Sequence, residues 1–321
     1  MFNGCTGHIS FQMALGHRSG RAGNRALITA LSGVAHFAVA CPMELDAYFE
    51  RIGFTDQPSV DLNTLISLQR HHLLSIPYEN LDVQLGRSLD LDINKIYAKI
   101  VEQGRGGWCY EMNGILQWAL EQIGFDVMRI NGGVLRTERG DDALGNHLVL
   151  CVQLDEPWIV DVGLGDGPIG PYPLKPHSAE QQGFSYQLEQ VEDCWRFHNH
   201  PASPAGSFDF YYRQANEDLF AEKCHWLSTA ADSPFVQNLV CQRAVPGGYD
   251  VQIGRVVKRI TCAGEQQHLV NSAEELVESL LQRFGLDIPE AATLWDSIAR
   301  QHEKHFGDSD KPDSPRSSAA S

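Results

Sequence analysis

The sequence predicts an α+β protein that is helical first, β-rich second and mixed last. Three observations predict it. Between Met43 and Phe125 apolar residues recur at helical spacing. From Val127 the period falls to two, and after Ala230 a strand-like stretch gives way to further helical patterns.

Helices are expected over 43–52, 62–75, 93–103 and 109–123, with Gly53, Pro58, Pro77 and Gly86 as breaks between them. Strands are expected over 127–134, 147–154, 158–162, 184–191 and 195–197, with turn residues between them as in an antiparallel sheet. Residues 249–260 read as a further strand-like stretch, and 272–284 and 291–302 as closing helices. There is no internal repeat and no run of about 20 apolar residues that would cross a membrane.

At 321 residues and 43% hydrophobic composition the chain can bury more than one packed unit, since single cores stop growing near ~250–300 residues. A net charge of −16 argues against nucleic acid or an anionic membrane as partner, and leaves oligomeric state unread. Eight cysteines are scattered without a CxxC pair, which points to reduced thiols in the cytoplasm and gives no support to a metal site. Residues 1–42 hold Arg18, Arg21 and Arg25 but no acidic side chain, followed by an apolar run broken at Ser32, Gly33 and His36. That outline of a secretory signal is interrupted, so 1–42 reads as a disordered extension or a mis-assigned start, with Met43 as the true one. Residues 307–321, rich in Ser, Asp and Pro, read as a disordered tail.

The chemistry centres on Arg105-Gly106-Gly107-Trp108-Cys109-Tyr110-Glu111-Met112-Asn113. Two glycines break the pattern and the helix of 109–123 begins at the cysteine, so Cys109 lies in a first turn whose unpaired N–H groups, with the charge of Arg105 nearby, favour a thiolate. His147 stands where a polar loop enters a strand, a place from which an imidazole can face a cleft. Asp161 closes the next apolar strand, where a carboxylate needs a partner. A hairpin through Asp155-Glu156-Pro157 would bring His147 and Asp161 together. The order Cys109, His147, Asp161 is that of papain-like thiol enzymes, with imidazole as base and carboxylate as its orienter.

These motifs resemble the arylamine N-acetyltransferases. The resemblance runs through Tyr48-Phe49-Glu50-Arg51-Ile52-Gly53, Ile76-Pro77-Tyr78-Glu79-Asn80-Leu81-Asp82, the cysteine segment, His147, and Asp161-Val162-Gly163-Leu164-Gly165, then more weakly past Trp226-Leu227-Ser228-Thr229 to about residue 285. It implies a helical bundle over 43–126 carrying the nucleophile, a β-barrel over 127–230 carrying His147 and Asp161, and an α/β lid over 231–306. It implies acetyl-CoA as co-substrate, no metal, and a ping-pong transfer of acetyl through Cys109 to an arylamine, hydrazine or N-hydroxyarylamine of xenobiotic origin. It also implies a buried Glu79–Arg105 ion pair under the cysteine loop. The acceptor pocket is expected at Leu164 and Trp108, with Leu164 where the family often has Phe. Gln187 stands where an Arg is common, on the donor side.

The glycine run 163–168 follows a strand as a dinucleotide fingerprint does, but Pro168, Pro171 and Pro173 forbid the helix that must come next. It is expected instead to be a turn whose amides, Gly163 and Gly165, meet CoA phosphates, with Gly183 as a further contact. Gly183-Phe184-Ser185-Tyr186-Gln187 lacks the last glycine of a nucleophile elbow, which argues against a serine hydrolase. His198 and His200 read as a solvated pair. The rivals are a papain- or transglutaminase-like thiol hydrolase or amide synthase with the same three residues, and a non-catalytic binder of CoA or aromatic ligands.

Overall fold

Gly53, in the left-handed region, closes α1 (Leu45–Ile52), and the Asp61 carboxylate opens α2 (Leu62–Ser75) by accepting the Thr64 amide at 2.8 Å. The chain is described by a computed structural model over residues 43–306; the expectations for 1–42 and 307–321 fall outside the described residues. A short strand β1 (Tyr78–Glu79) follows, then α3 (Leu81–Gln84) and α4 (Ile93–Tyr97). The single helix expected over 93–103 is two pieces, because α4 passes into a wider π turn at Ala98–Glu102. The central helix α5 (Cys109–Ile123) begins at the cysteine, as its glycine break and spacing predict. It is buried on nearly every side, the condition of a core helix rather than a surface one.

The next eight strands, β2 (Asp126–Val134), β3 (His147–Gln153), β4 (Pro157–Val160), β5 (Tyr172–Pro173), β6 (His177–Gln181), β7 (Phe184–Val191), β8 (Cys194–His198) and β9 (Ser207–Phe210), form one antiparallel sheet. Its order is β5-β4-β3-β2-β9-β8-β7-β6, and it curls into a nearly closed barrel. The open seam is bridged where the Gly170 amide donates to Gln181 Oε1 at 2.8 Å and Tyr172 meets His177 edge-on at 5.6 Å. Short helix α6 (Arg136–Arg139) sits in the loop before β3.

Then come α7 (Glu217–Thr229) and α8 (Pro234–Gln237), and a second sheet of β10 (Val240–Val245), β11 (Gly248–Ile253), β12 (Val256–Thr261) and β13 (Gly264–Leu269). The stretch 249–260 is two strands, split by a turn at Gly254. Helices α9 (Ala273–Phe284) and α10 (Trp295–Phe306) close the chain, with a 3-10 turn at Pro289–Leu294 between them. Strand β13 escapes sequence reading because its GEQQHL is almost wholly exposed and carries no alternation. Helix α7 was missed too, although Phe220, Cys224 and Leu227 recur at helical spacing and are its buried residues.

Strand β1 pairs with β10, Tyr78 opposite Gln242 and Glu79 opposite Cys241, so the helical stretch is stitched into the second sheet. Asn80 strengthens the seam: its amide donates to the carbonyls of Phe235 and Asn238, and its Oδ1 accepts the Val240 amide at 2.8 Å. One core joins α1, α2, α5 and the barrel, and a smaller one, built around Leu276, Leu280 and Phe284, lies under α9.

Candidate active site

The register of the β3–β4 hairpin, Gln153 opposite Pro157 and Leu150 opposite Val160, brings the first residue of β3 beside the residue that follows β4. There His147 Nε2 donates to Asp161 Oδ2 at 2.7 Å. The Cys109 sulfur acts on the same ring, and the thiol donates to the Asn146 carbonyl at 3.8 Å. All three residues are buried. Burial works against a charged ring, but the Asp161 carboxylate and its hydrogen bond, with the sulfur, outweigh it and push His147 up to about 10. The imidazole is therefore protonated at neutral pH.

Asp161 is held on its second oxygen. Oδ1 accepts from Asn113 Nδ2 and from the Gly163 amide, each at 2.8 Å. Gly163 lies so close that a Cβ there would stand 2.7 Å from the Cys109 Cα and 2.6 Å from Asn113 Nδ2. Only a glycine fits.

Under the cysteine loop, Arg105 Nη2 pairs with Glu79 Oε1 at 2.7 Å and with Asp82 Oδ1 at 3.0 Å. Lys99 Nζ bridges Asp82 at 2.8 Å and Glu111 at 2.9 Å, and Glu111 Oε2 accepts the Trp108 amide at 3.2 Å, capping α5. This corrects one expectation. The guanidinium of Arg105 is engaged by two carboxylates, so the positive group that acts on the thiol is the ring of His147.

A cleft of about 860 Å³ opens over Cys109, within the usual range for small-molecule sites. Cys109, His147, Gly163, Leu164 and Tyr78 line it at the thiol. Arg139, Arg255 and Lys258 bring positive charge to its walls, and Ile298 brings α10. Trp108 does not line it. The indole is buried in the core against Tyr110 and Phe235, at 5.3 and 5.7 Å, because its position before the first helical turn faces inward. Gly165 and Gly183 are not at the cleft either. Gly165 abuts Gln242, and Gly183 sits with Gln182 in the two-residue β6–β7 turn, where both have positive φ. The Gly163 amide that was to meet a phosphate is taken by Asp161. Gln187, on β7, is exposed and does not line the cleft. His198 and His200 are no solvated pair: His198 reaches Glu189 at 2.8 Å, whereas His200 is wholly buried.

Sequence reading missed Asn113, Asp82, Lys99, Glu111 and Tyr78 as parts of the site. Asn113 carried a signal, being four residues after Cys109 and so on the same helix face. Glu111 carried another as the third residue of a capped helix. Asp82 and Lys99 meet only through packing. Among the described residues no group of three or more His, Cys, Asp or Glu is placed to hold a metal ion, and no helix is long and apolar enough to cross a membrane.

This α+β architecture, helices with a nearly closed antiparallel sheet, is shared with a known class of acyltransferases. A family model described as N-acetyltransferase matches residues 61–293. The arylamine N-acetyltransferase of Mycolicibacterium smegmatis is 32% identical over 262 residues, covering 78% of this chain and 94% of that one. The pineal gland isozyme of Gallus gallus is 31% identical over 282 residues, covering 77% and 95%. Among solved structures, the arylamine N-acetyltransferase of Mycobacterium marinum superposes with a TM-score of 0.74 at 25% identity, over 80% of this chain and 99% of that one. The same enzyme in complex with CoA gives 0.73 at 26% identity, again over 80% and 99%. The chain belongs to the arylamine N-acetyltransferase family and is an acetyltransferase.

Proposed function

We propose that Cys109, His147 and Asp161 are a catalytic triad that moves an acetyl group from acetyl-CoA, through a thioester on Cys109, to an arylamine, arylhydrazine or N-hydroxyarylamine. The supporting observation is the 2.7 Å bond between His147 Nε2 and Asp161 Oδ2, with Cys109 and His147 lining the same cleft. With Nε2 bonded to Asp161, Nδ1 is the nitrogen left for the thiol proton. In the resting pair that proton is already on the ring, and the Cys109 thiolate attacks the acetyl carbonyl carbon. The first-turn amides of Cys109 and Tyr110 are the donors for the oxyanion. His147 then returns the proton to the departing CoA sulfur, leaving acetyl on Cys109. In the second half, the acceptor nitrogen attacks this thioester, His147 takes the nitrogen's proton, and the Cys109 sulfur leaves.

The cleft suits acetyl-CoA by size and by Arg139, Arg255 and Lys258 on its walls, which match an acidic nucleotide end. A complex with CoA exists for the M. marinum relative. An aromatic amine fits the second half because its nitrogen is neutral at pH 7, whereas an alkylamine, with a pKa near that of Lys at about 10.4, is protonated and cannot attack. We assign 43–126 to the bundle, 127–230 to the barrel and 231–306 to a lid that keeps water from the acetyl-cysteine. Leu164 is the acceptor-facing wall.

The test mixes enzyme with acetyl-CoA, looks for an acetyl adduct on Cys109 by mass spectrometry, then adds an aminobenzoate or hydrazine and measures CoA release. Parallel double-reciprocal plots and loss of both signals in Cys109→Ala are expected. Equal acceptor-dependent release by Cys109→Ala would refute the proposal.

A further inference from the structure

The glycine run 163–168 and the His198-Asn199-His200 motif meet in one buried cluster. The Asp166 carboxyl is fully buried, and its Oδ1 accepts from Ser203 Oγ at 2.9 Å and from Asn199 Nδ2 at 3.2 Å. His200 Nε2 donates to the Asp166 carbonyl at 3.1 Å and lies 3.8 Å from Asp166 Oδ2. Within this cluster Oδ2 and His200 Nδ1 have no hydrogen-bond partner. The imidazole is packed against Phe184 and Tyr249, ring centres 4.6 and 5.5 Å away. Two neighbours on the loop are pinned as well. The Tyr249 hydroxyl donates to the Gly167 carbonyl at 2.7 Å, and Gln69 Nε2 donates to the Pro168 carbonyl at 3.1 Å.

One end of this loop is therefore anchored at three successive residues, while its other end touches the thiol. Gly163 lies against Cys109, Leu164 lines the cleft, and the Asp166 amide donates back to the Leu164 carbonyl at 3.0 Å. We propose that Asp166 is a positioning residue for the acceptor: it clamps loop 163–168 to segment 199–203 and so fixes where Leu164 stands over Cys109. The proposal rests on the reading of Cys109 as acetyl carrier and Leu164 as acceptor wall.

The clamp is built for a neutral carboxyl. Burial pushes Asp166 up to about 7 against the bonds from Ser203 and Asn199, and among the described residues no Lys or Arg pairs with it. The titratable groups that interact with it are His200, Tyr249, Tyr186 and Tyr78. Burial lowers His200 and raises the three tyrosines, so all four stay neutral near pH 7. As pH rises through 7 the carboxyl ionises inside an aromatic cage with one oxygen unpaired, and the clamp loosens.

The experiment measures kcat/KM for acetyl-CoA and for an arylamine separately, from pH 6 to 8, in wild type, Asp166→Asn and Asp166→Ala. An arylamine stays neutral across that window, and His147, pushed up to about 10, does not titrate in it. In wild type the acceptor kcat/KM falls several-fold toward pH 8 while the donor value holds. Asp166→Asn, which keeps the acceptor oxygen and never ionises, has a flat acceptor profile. Asp166→Ala loses about tenfold on the acceptor side alone, the pattern of an interaction made only in that half-reaction. A wild-type acceptor profile as flat as that of Asp166→Asn overturns the clamp, as does equal loss on both sides in Asp166→Ala. Absence of any acetyl adduct in wild type overturns the underlying reading as well.

Discussion

Asn113 Nδ2 donates to Asp161 Oδ1 at 2.8 Å, on the oxygen opposite the one that holds His147. The same amide group donates to the Leu148 carbonyl at 2.7 Å and accepts the Val162 amide at 2.9 Å. One turn of α5 thus places the thiol at Cys109 and steers the carboxylate through Asn113. Asn113→Ala is expected to fold, by its circular dichroism, and to lose about 10–100-fold in kcat/KM in both half-reactions, as removal of an orienting partner does. Unchanged kinetics would show that Asp161 needs no such guide.

Asp161→Asn leaves burial, which lowers the ring's pKa, without the charge that opposes it. An activity loss of about 10⁴ is expected, the scale seen when a triad carboxylate becomes an amide. The same coupling has a stability signature. His147 loses its proton near ~6.5 when unfolded but at about 10 when folded, so its stabilising contribution is full below ~6.5 and is lost as pH rises through 10. Calorimetry should find that the wild-type melting temperature declines more between pH 7 and 10 than that of His147→Gln. Equal declines would mean that the ring is neutral in the folded protein.

Lys99 lies between two carboxylates, Asp82 and Glu111, and is 11% exposed at its side chain. Lys99→Met strands Glu111, while Asp82 keeps Arg105, and removal of one partner of a buried ion pair costs about 3–5 kcal/mol. Denaturant unfolding should show a loss of that size; a loss under about 1 kcal/mol, the range of surface pairs, would show that the network is effectively solvated.

Gly163→Ala would place a methyl group 2.7 Å from the Cys109 Cα. Relief requires the loop and the thiol to separate, so a loss of about 1–3 kcal/mol in stability is expected. The acetyl adduct on Cys109 should form much more slowly. An unimpaired rate of adduct formation would mean that the loop yields without moving the site.

Much of the site was legible because the contacts that define it are local. The start of α5 follows from two glycines and an apolar repeat, and the meeting of His147 with Asp161 follows from a short hairpin. Asp82 and Lys99 were illegible for the opposite reason. Their pairing depends on how α3 and the π turn after α4 pack beneath Arg105, which no periodicity records. Trp108 and Leu164 show the same limit. Both are apolar residues next to a reactive group, yet one faces the core and the other the cleft.

By itself the sequence determined the order helix, sheet, mixed unit, and the placing of Cys109 at a helix start and of His147 beside Asp161, since helical caps, strand periods and hairpin turns are set by neighbours along the chain. Only the tertiary structure decided what surrounds them. Strand β1 joins β10 across about 160 residues, His200 and Asp166 meet against Phe184 of the barrel and Tyr249 of the second sheet, and the cleft draws its walls from α5, the barrel, the second sheet and α10. Those contacts arise from burial of apolar faces, which is non-directional, and they take definite partners only when every element has packed.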